Sequence, residues 1–201
     1  MRPRGFTLIE ASVVLVIVAL LLTAILQGQS LIEGARYKSL KRDIGDYREA
    51  FEAFRQRYNA LPGDFAAAES RLGLAGGADG NGNGVIDGGP ACDSSGEEAC
   101  RSWQHLRGAR LIAGDDSISD TTAPPEHDFQ GRFSAFFSGT EGNGEFGNKL
   151  LIEDLPAEFA IQLDEQLDDG IHDAGLISCE SGCSGGWPSA LDALVDVVYA
   201  L

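Results

Sequence analysis

The chain has 201 residues, enough for one domain with a short appended segment. Hydrophobic residues make up 43% of it, an apolar content that excludes disorder of the chain as a whole. Its 15 Lys and Arg residues are outnumbered by 31 Asp and Glu residues, and the resulting net charge of −16 argues against a nucleic-acid partner.

The charge is distributed unevenly along the chain. Residues 1–72 contain 10 of the 15 basic residues, whereas residues 73–201 contain 23 of the 31 acidic ones. A near-neutral N-terminal third is therefore followed by a strongly acidic remainder. Such a remainder favours solubility and offers the oxygen-rich chemistry that divalent cations prefer.

A long apolar segment follows a short basic leader at the N-terminus. Two arginines precede Phe6, and residues 11–26 are apolar apart from one serine and one threonine. Residues 6–26 would span about 31 Å as a helix, enough to cross the bilayer core. Because positive charge precedes the run, we expect a single membrane span with its N-terminus in the cytoplasm.

One acidic residue, Glu10, lies at the start of the apolar segment. A carboxylate inside a membrane helix costs about 2–3 kcal/mol, so its presence there indicates a function. A secretory signal peptide would need a small-x-small cleavage site after the run, and the sequence matches this poorly. A plain membrane anchor would not need the acid. Neither alternative explains Glu10.

The string Arg4-Gly5-Phe6-Thr7-Leu8-Ile9-Glu10 resembles the N-terminus of the type IV prepilin family, which includes the type II secretion pseudopilins. The resemblance implies cleavage between Gly5 and Phe6 by a membrane prepilin peptidase, followed by N-methylation of Phe6. It also implies a filament of identical or different pilin subunits, in which the Phe6 amine of an incoming subunit meets Glu10 of a neighbour. Two such charges in hydrocarbon stabilise each other only within an assembly.

A second helical pattern continues beyond the membrane segment. Seven large apolar side chains recur at spacings of three and four residues: Tyr37, Leu40, Ile44, Tyr47, Phe51, Phe54 and Tyr58. This stripe predicts an amphipathic helix that packs on a sheet, since no second long amphipathic helix follows. Together the two patterns give one helix over residues 6–58, about 80 Å long, which Pro62 and Gly63 end.

The predicted fold class is α+β and pilin-like, with a long N-terminal helix packed on a small antiparallel sheet. The predicted divisions are a leader at 1–5, a transmembrane and polymerisation helix at 6–30, an amphipathic helix of the globular domain at 31–60, and an acidic periplasmic or extracellular domain at 61–201. Strands are predicted at 129–137, 146–152 and 191–201. A short helix is predicted to follow Asp64, which would be its N-cap residue. Two further helices are predicted at residues 103–112 and 155–167.

A glycine-rich loop carries oxygen-bearing side chains at alternate positions. The candidate calcium ligands are Asp79, Asn81, Asn83, the carbonyl of Val85, and Asp87. Gly84 stands where an EF-hand-type loop needs its sharp turn. The position that should supply a bidentate glutamate is Pro90, and Glu97 and Glu98 are later candidates to replace it. The loop is therefore either a calcium site or a flexible Gly/Asn turn.

Four cysteines follow the membrane segment: Cys92, Cys100, Cys179 and Cys183. An even number in an extracytoplasmic region indicates disulfides. Of the three possible pairings, Cys92–Cys100 and Cys179–Cys183 are favoured, because each closes a short Gly/Ser-rich loop. The rival interpretation, a zinc site, lacks a nearby histidine.

No motif points to catalysis. The three histidines share no spacing with a serine nucleophile, and neither Gly-x-Ser-x-Gly nor His-Glu-x-x-His occurs. Asp168 and Asp169 are adjacent, so on a helix their carboxylates would point in different directions. They are interpreted as a solvated helix end or a second weak cation site. The chain is not expected to be an enzyme, and calcium is its one candidate cofactor.

The sequence thus predicts a structural subunit that polymerises through its N-terminal helix into a type IV pilus or a pseudopilus. Before assembly it would cross the bacterial inner membrane once, and afterwards it would be periplasmic or at the cell surface. One alternative is a minor pilin acting as tip, primer or adhesin. Another is a membrane-anchored periplasmic calcium-dependent binding protein that never polymerises, and replacement of Glu10 separates it from a filament subunit.

Overall fold

The computed structural model describes residues 8–89, 97–114, 124–138 and 147–201. The elements in chain order are α1 (Leu8–Tyr58), α2 (Ala68–Leu72), α3 (Glu98–Gly108), β1 (Phe133–Ser138), β2 (Gly147–Pro156), α4 (Ala157–Leu167), β3 (Ile177–Ser181) and β4 (Leu194–Ala200). They confirm the predicted α+β, pilin-like layout. The chain divides into two compact units, Met1–Ser39 and Leu40–Leu201, and α1 contributes to both.

The described part of the N-terminal unit is the apolar first part of α1. Its large apolar side chains are solvent-exposed, from 44% at Val18 to 88% at Leu8. The two hydroxyl groups in this stretch donate to helix carbonyls, that of Ser12 to Ile9 and that of Thr23 to Ala19, each at 2.9 Å. By length and composition the stretch is able to cross a membrane, as predicted.

The second part of α1 supplies the core of the globular unit. Leu40, Ile44 and Phe54 of the predicted stripe are almost completely buried. The ring of Tyr47 meets Phe133 of β1 and Trp103 of α3 edge-on, at centroid distances of 4.9 and 5.2 Å. The stripe therefore packs as core against the sheet, as predicted, and against α3 as well.

The described strands form one antiparallel sheet in the order β1-β2-β4-β3. The predicted hairpin is confirmed, since β1 pairs with β2 from Phe133↔Ile152 to Ser138↔Gly147. The predicted C-terminal strand is also confirmed, and it lies between β2 and β3. The strand β3 has no counterpart in the sequence-based prediction.

The predicted helices and disulfides have separate outcomes. The structure confirms α3 and α4 near their predicted positions, and it confirms the Cys179–Cys183 disulfide, whose Cα atoms are 6.2 Å apart. Cys92 lies outside the described residues, so the Cys92–Cys100 pairing stays a prediction. The prediction of Asp64 as a helix N-cap is wrong. The residue before α2 is Ala67, which makes no side-chain cap hydrogen bond.

Candidate functional site

The structure places Glu10 in the first turn of an exposed apolar helix. It is the only acidic residue of the sequence between Leu8 and Ile32, and its neighbours Leu8 and Ile9 are 88% and 70% exposed. The predicted processing residues, Gly5 and Phe6, lie outside the described residues. The structure thus supplies the setting of Glu10, while its role in assembly stays a prediction.

Two buried carboxylates hold the glycine-rich loop by its backbone. Asp64 accepts hydrogen bonds from the Asn83 N–H at 2.9 Å and the Gly84 N–H at 2.7 Å. Glu98 accepts from the Asn81 N–H at 2.7 Å and the Asp87 N–H at 3.0 Å. Asp64 and Glu98 are only 3% and 5% exposed. Hydrogen bonds to carboxylates are stronger than those between neutral groups, so the loop has a fixed conformation.

These hydrogen bonds explain why Asp64 does not cap a helix, because both of its carboxylate oxygens accept from a loop about 20 residues further along the chain. Glu98 has the same structural role, since each of its carboxylate oxygens accepts a hydrogen bond from the loop backbone. Burial raises the pKa of Glu98, and its two backbone hydrogen bonds partly offset this effect. Glu97, the other candidate ligand, has its Oε2 buried without a hydrogen-bond partner among the described residues.

The structure brings together three of the four candidate ligand side chains in the loop. The Asn81 and Asn83 amides each donate to Asp87 Oδ2 at 2.7 Å. Asp79 instead accepts from the Glu69 N–H of α2 at 2.9 Å, and the Val85 N–H donates to Asn83 Oδ1. Calcium binding by this loop stays a prediction.

A neutral histidine joins the loop to the turn that follows α1. His105 is completely buried, its Nδ1 accepts from the Gly63 N–H at 2.8 Å, and its Nε2 donates to the Ala78 carbonyl at 2.7 Å. Burial lowers the pKa of His105 to about 4, because the cation loses its hydration. This role could not be predicted from the sequence, since His105 has no motif spacing with another histidine or with a serine nucleophile.

Three carboxylates converge where α4 ends. Oxygen atoms of Asp164, Asp168 and Asp169 all lie within 4.8 Å of one another. The expectation that Asp168 and Asp169 point in different directions is wrong, because α4 ends at Leu167 and Asp168 is extended, with φ −144° and ψ −139°. Asp164 is completely buried. Asp168 and Asp169, which are interpreted from the sequence as a solvated helix end or a weak cation site, are half-buried and exposed, respectively.

Comparison with known proteins bears on the N-terminus. Residues 1–26 match the family model described as the prokaryotic N-terminal methylation motif. No curated protein and no solved structure gives a significant match to the chain. The matched segment contains Gly5, Phe6 and Glu10. The chain thus carries over residues 1–26 the N-terminal methylation motif, which is the class III signal peptide found in type IV pilins and pseudopilins.

Proposed function

We propose that this protein is a structural subunit of a type IV pilus or of a type II secretion pseudopilus. A prepilin peptidase cleaves it between Gly5 and Phe6, and Phe6 is then N-methylated. Before assembly the subunit spans the inner membrane with its N-terminus in the cytoplasm. It then joins a filament of identical or different pilin subunits. The observation that carries the proposal is an exposed apolar helix joined to the N-terminal methylation motif.

The exposed surface of α1 requires an apolar environment at every stage. More than a dozen large apolar side chains between Leu8 and Ile32 are exposed, and such a surface is unstable in water. Lipid covers it before assembly, and helices of other subunits cover it in the filament. Because lipid and helix surfaces are similarly apolar, moving from one to the other gains little hydrophobic free energy. Another interaction must fix how the subunits align.

Glu10 supplies that interaction. Its carboxylate is costly in hydrocarbon, and so is the ammonium group that cleavage creates at Phe6. Pairing the two across neighbouring subunits relieves both costs, and it does so at one relative position of the helices. The pair therefore sets the register of neighbouring subunits rather than adding much net stability.

Processing is tested by mass spectrometry of the protein isolated from its native membrane. The expected N-terminus is N-methylated Phe6. An intact Met1, or a cut after Leu26, would overturn the proposed class.

Assembly is tested by comparing Glu10→Ala with Glu33→Ala, which removes a second exposed carboxylate of α1 beyond the apolar run. We expect Glu10→Ala to be processed and to reach the membrane but to be lost from sheared filaments, whereas Glu33→Ala assembles normally. If Glu10→Ala assembles as the unmodified protein does, Glu10 does not set the register. The abundance of the protein in sheared filaments then distinguishes a major subunit from a minor one.

A further inference from the structure

We propose that the second part of α1 contacts another copy of this chain through two rows of opposite charge. The acidic row is Asp43, Asp46 and Glu49, and the basic row is Lys41, Arg48 and Arg55. Both rows belong to the globular unit. The inference rests on the proposed filament function and adds which surfaces of neighbouring subunits meet.

The two rows lie on opposite flanks of α1. Positions seven residues apart lie nearly above one another on a helix, so Lys41, Arg48 and Arg55 form one row. The centre of the acidic row is about 160° around the helix from the centre of the basic row, since successive residues are about 100° apart. On the basic flank, Lys41 Nζ donates to Gln166 Oε1 of α4 at 2.8 Å, and the Arg48 guanidinium lies 4.5 Å from the centre of the Tyr199 ring of β4.

The acidic row borders a groove of about 500 Å³ between α1 and the segment that follows α3. The other residues that line this groove are Tyr47, Ala50 and Ala53 of α1 and residues 111–113. The groove therefore combines carboxylates with apolar surface. Lysine and arginine side chains suit such a surface, because each has an apolar stem and a charged end.

The electrostatics of the groove favour a positively charged partner. Burial raises the pKa of Asp43 most, Arg42 lowers it, and the nearby charge of Asp46 raises it again. A further cation in the groove would stabilise the charged carboxylates. Between residues 41 and 55, each row has one residue of the opposite charge beside it, Arg42 for the acidic row and Glu52, at 2.9 Å from Arg55, for the basic row. Each row thus keeps an excess of its own charge.

The spacing of the charges allows the rows to pair. Along the helix axis Asp43 and Glu49 are about 9 Å apart, and Arg48 and Arg55 are about 10.5 Å apart. Two successive basic residues of one copy therefore match the two ends of the acidic row of another. Exposed ion pairs add little free energy each, but complementary charge selects the partner and its alignment.

The contact is head-to-tail, because one copy uses its acidic row and the other uses its basic row. Each copy then keeps one unused row on the opposite flank of α1. A contact of this kind generates an open helical filament when the rotation between copies does not close a ring. The two rows thus provide the symmetry that a filament of one subunit requires.

The test reverses each row in the full chain, in cells that lack the unmodified protein. Asp46→Lys combined with Glu49→Lys makes both rows basic, and Arg48→Glu combined with Arg55→Glu makes both rows acidic. We expect each variant alone to be depleted at least about tenfold from sheared filaments, because like charges then face each other. Producing the two variants together should return both to filaments, because their rows are again complementary.

The control is Glu180→Lys combined with Asp192→Lys, which changes the net charge as the first variant does, at exposed positions outside α1. It should assemble normally. Normal assembly of either reversed variant alone overturns the proposal, and so does equal depletion of the control. Two folded variants that fail to restore each other also overturn it, since the partner is then not a second copy. If Glu10→Ala is lost from filaments while the reversed variants assemble, the subunit function stands and this inference fails.

Cysteine cross-linking measures the same contact and does not depend on the reversed variants being folded. A chain with both Glu49→Cys and Arg55→Cys should form a ladder of dimers, trimers and longer species when native membranes or filaments are mildly oxidised. Glu49→Cys alone should form none. Absence of the ladder overturns the proposal, and a dimer of Glu49→Cys alone contradicts the head-to-tail contact.

Discussion

Acidification should destabilise the globular unit through His105. Its folded pKa of about 4 lies below the ordinary value of 6.5, so as the pH falls the unfolded chain takes up the proton first. The stabilisation from a neutral His105 is therefore fully present above pH 6.5 and is lost as the pH falls towards 4. A gap of this size corresponds to about 3 kcal/mol, since each pKa unit is worth about 1.4 kcal/mol. Protonation also places a hydrogen on Nδ1, opposite the Gly63 N–H that now donates to it.

The measurement is urea unfolding of the full chain in detergent between pH 4 and pH 8, followed by the fluorescence of buried Trp103. The comparison variant is His105→Gln, whose amide can accept and donate as the imidazole does but does not titrate. The difference in unfolding free energy between the two proteins should shrink by about 3 kcal/mol from pH 8 to pH 4. Burial also lowers the pKa of His127, so His127→Gln serves as a control that retains the His105 contribution. A difference that stays constant across this range would refute the reasoning.

Three further substitutions test the packing of the globular unit. Gly80→Ala should cost at least about 2 kcal/mol, because its methyl group would lie 2.3 Å from a backbone carbonyl oxygen, whereas Gly76→Ala has nothing within 4 Å and should melt like the native protein. Equal melting temperatures for these two variants would contradict the close approach. Asp64→Ala leaves the Gly84 N–H without its acceptor and leaves the Asn83 N–H only Asn81 Oδ1, so it should lower the unfolding free energy by about 2 kcal/mol, while Asp64→Asn keeps one acceptor and should cost less. Cys183→Ser opens a short disulfide loop and should cost about 2 kcal/mol in urea unfolding, and an unchanged midpoint would show that the bond adds no stability.

The strongly periodic parts of the fold could be predicted from the sequence. The stripe that contains Leu40 and Phe54 repeats over several turns, and its burial follows from that repetition alone. The strand β3 could not be predicted. It has five residues, its second half is half-buried or exposed, and it exists because β4 offers it a pairing edge.

The candidate sites were less predictable because long-range contacts define them. Local position makes Asp64 look like a helix cap, but its hydrogen-bond donors are about 20 residues away along the chain. The Asp168–Asp169 pair depends on a helix boundary, because the same residues diverge within a helix and converge one residue beyond its end. The burial of Asp164 follows from tertiary packing, to which the pattern of charged residues along the sequence gives no guide.

The order of the strands has a consequence for biogenesis. β4 follows β2 and β3 along the chain, yet both of them pair with β4 and not with each other. Until β4 is in place, β2 pairs only with β1 and β3 pairs with no described strand, so one edge of β2 and the edges of β3 stay open to foreign pairing. A truncation before Leu194 would therefore leave β3 separated from the β1–β2 hairpin, so the four-stranded sheet can form only after β4 is available.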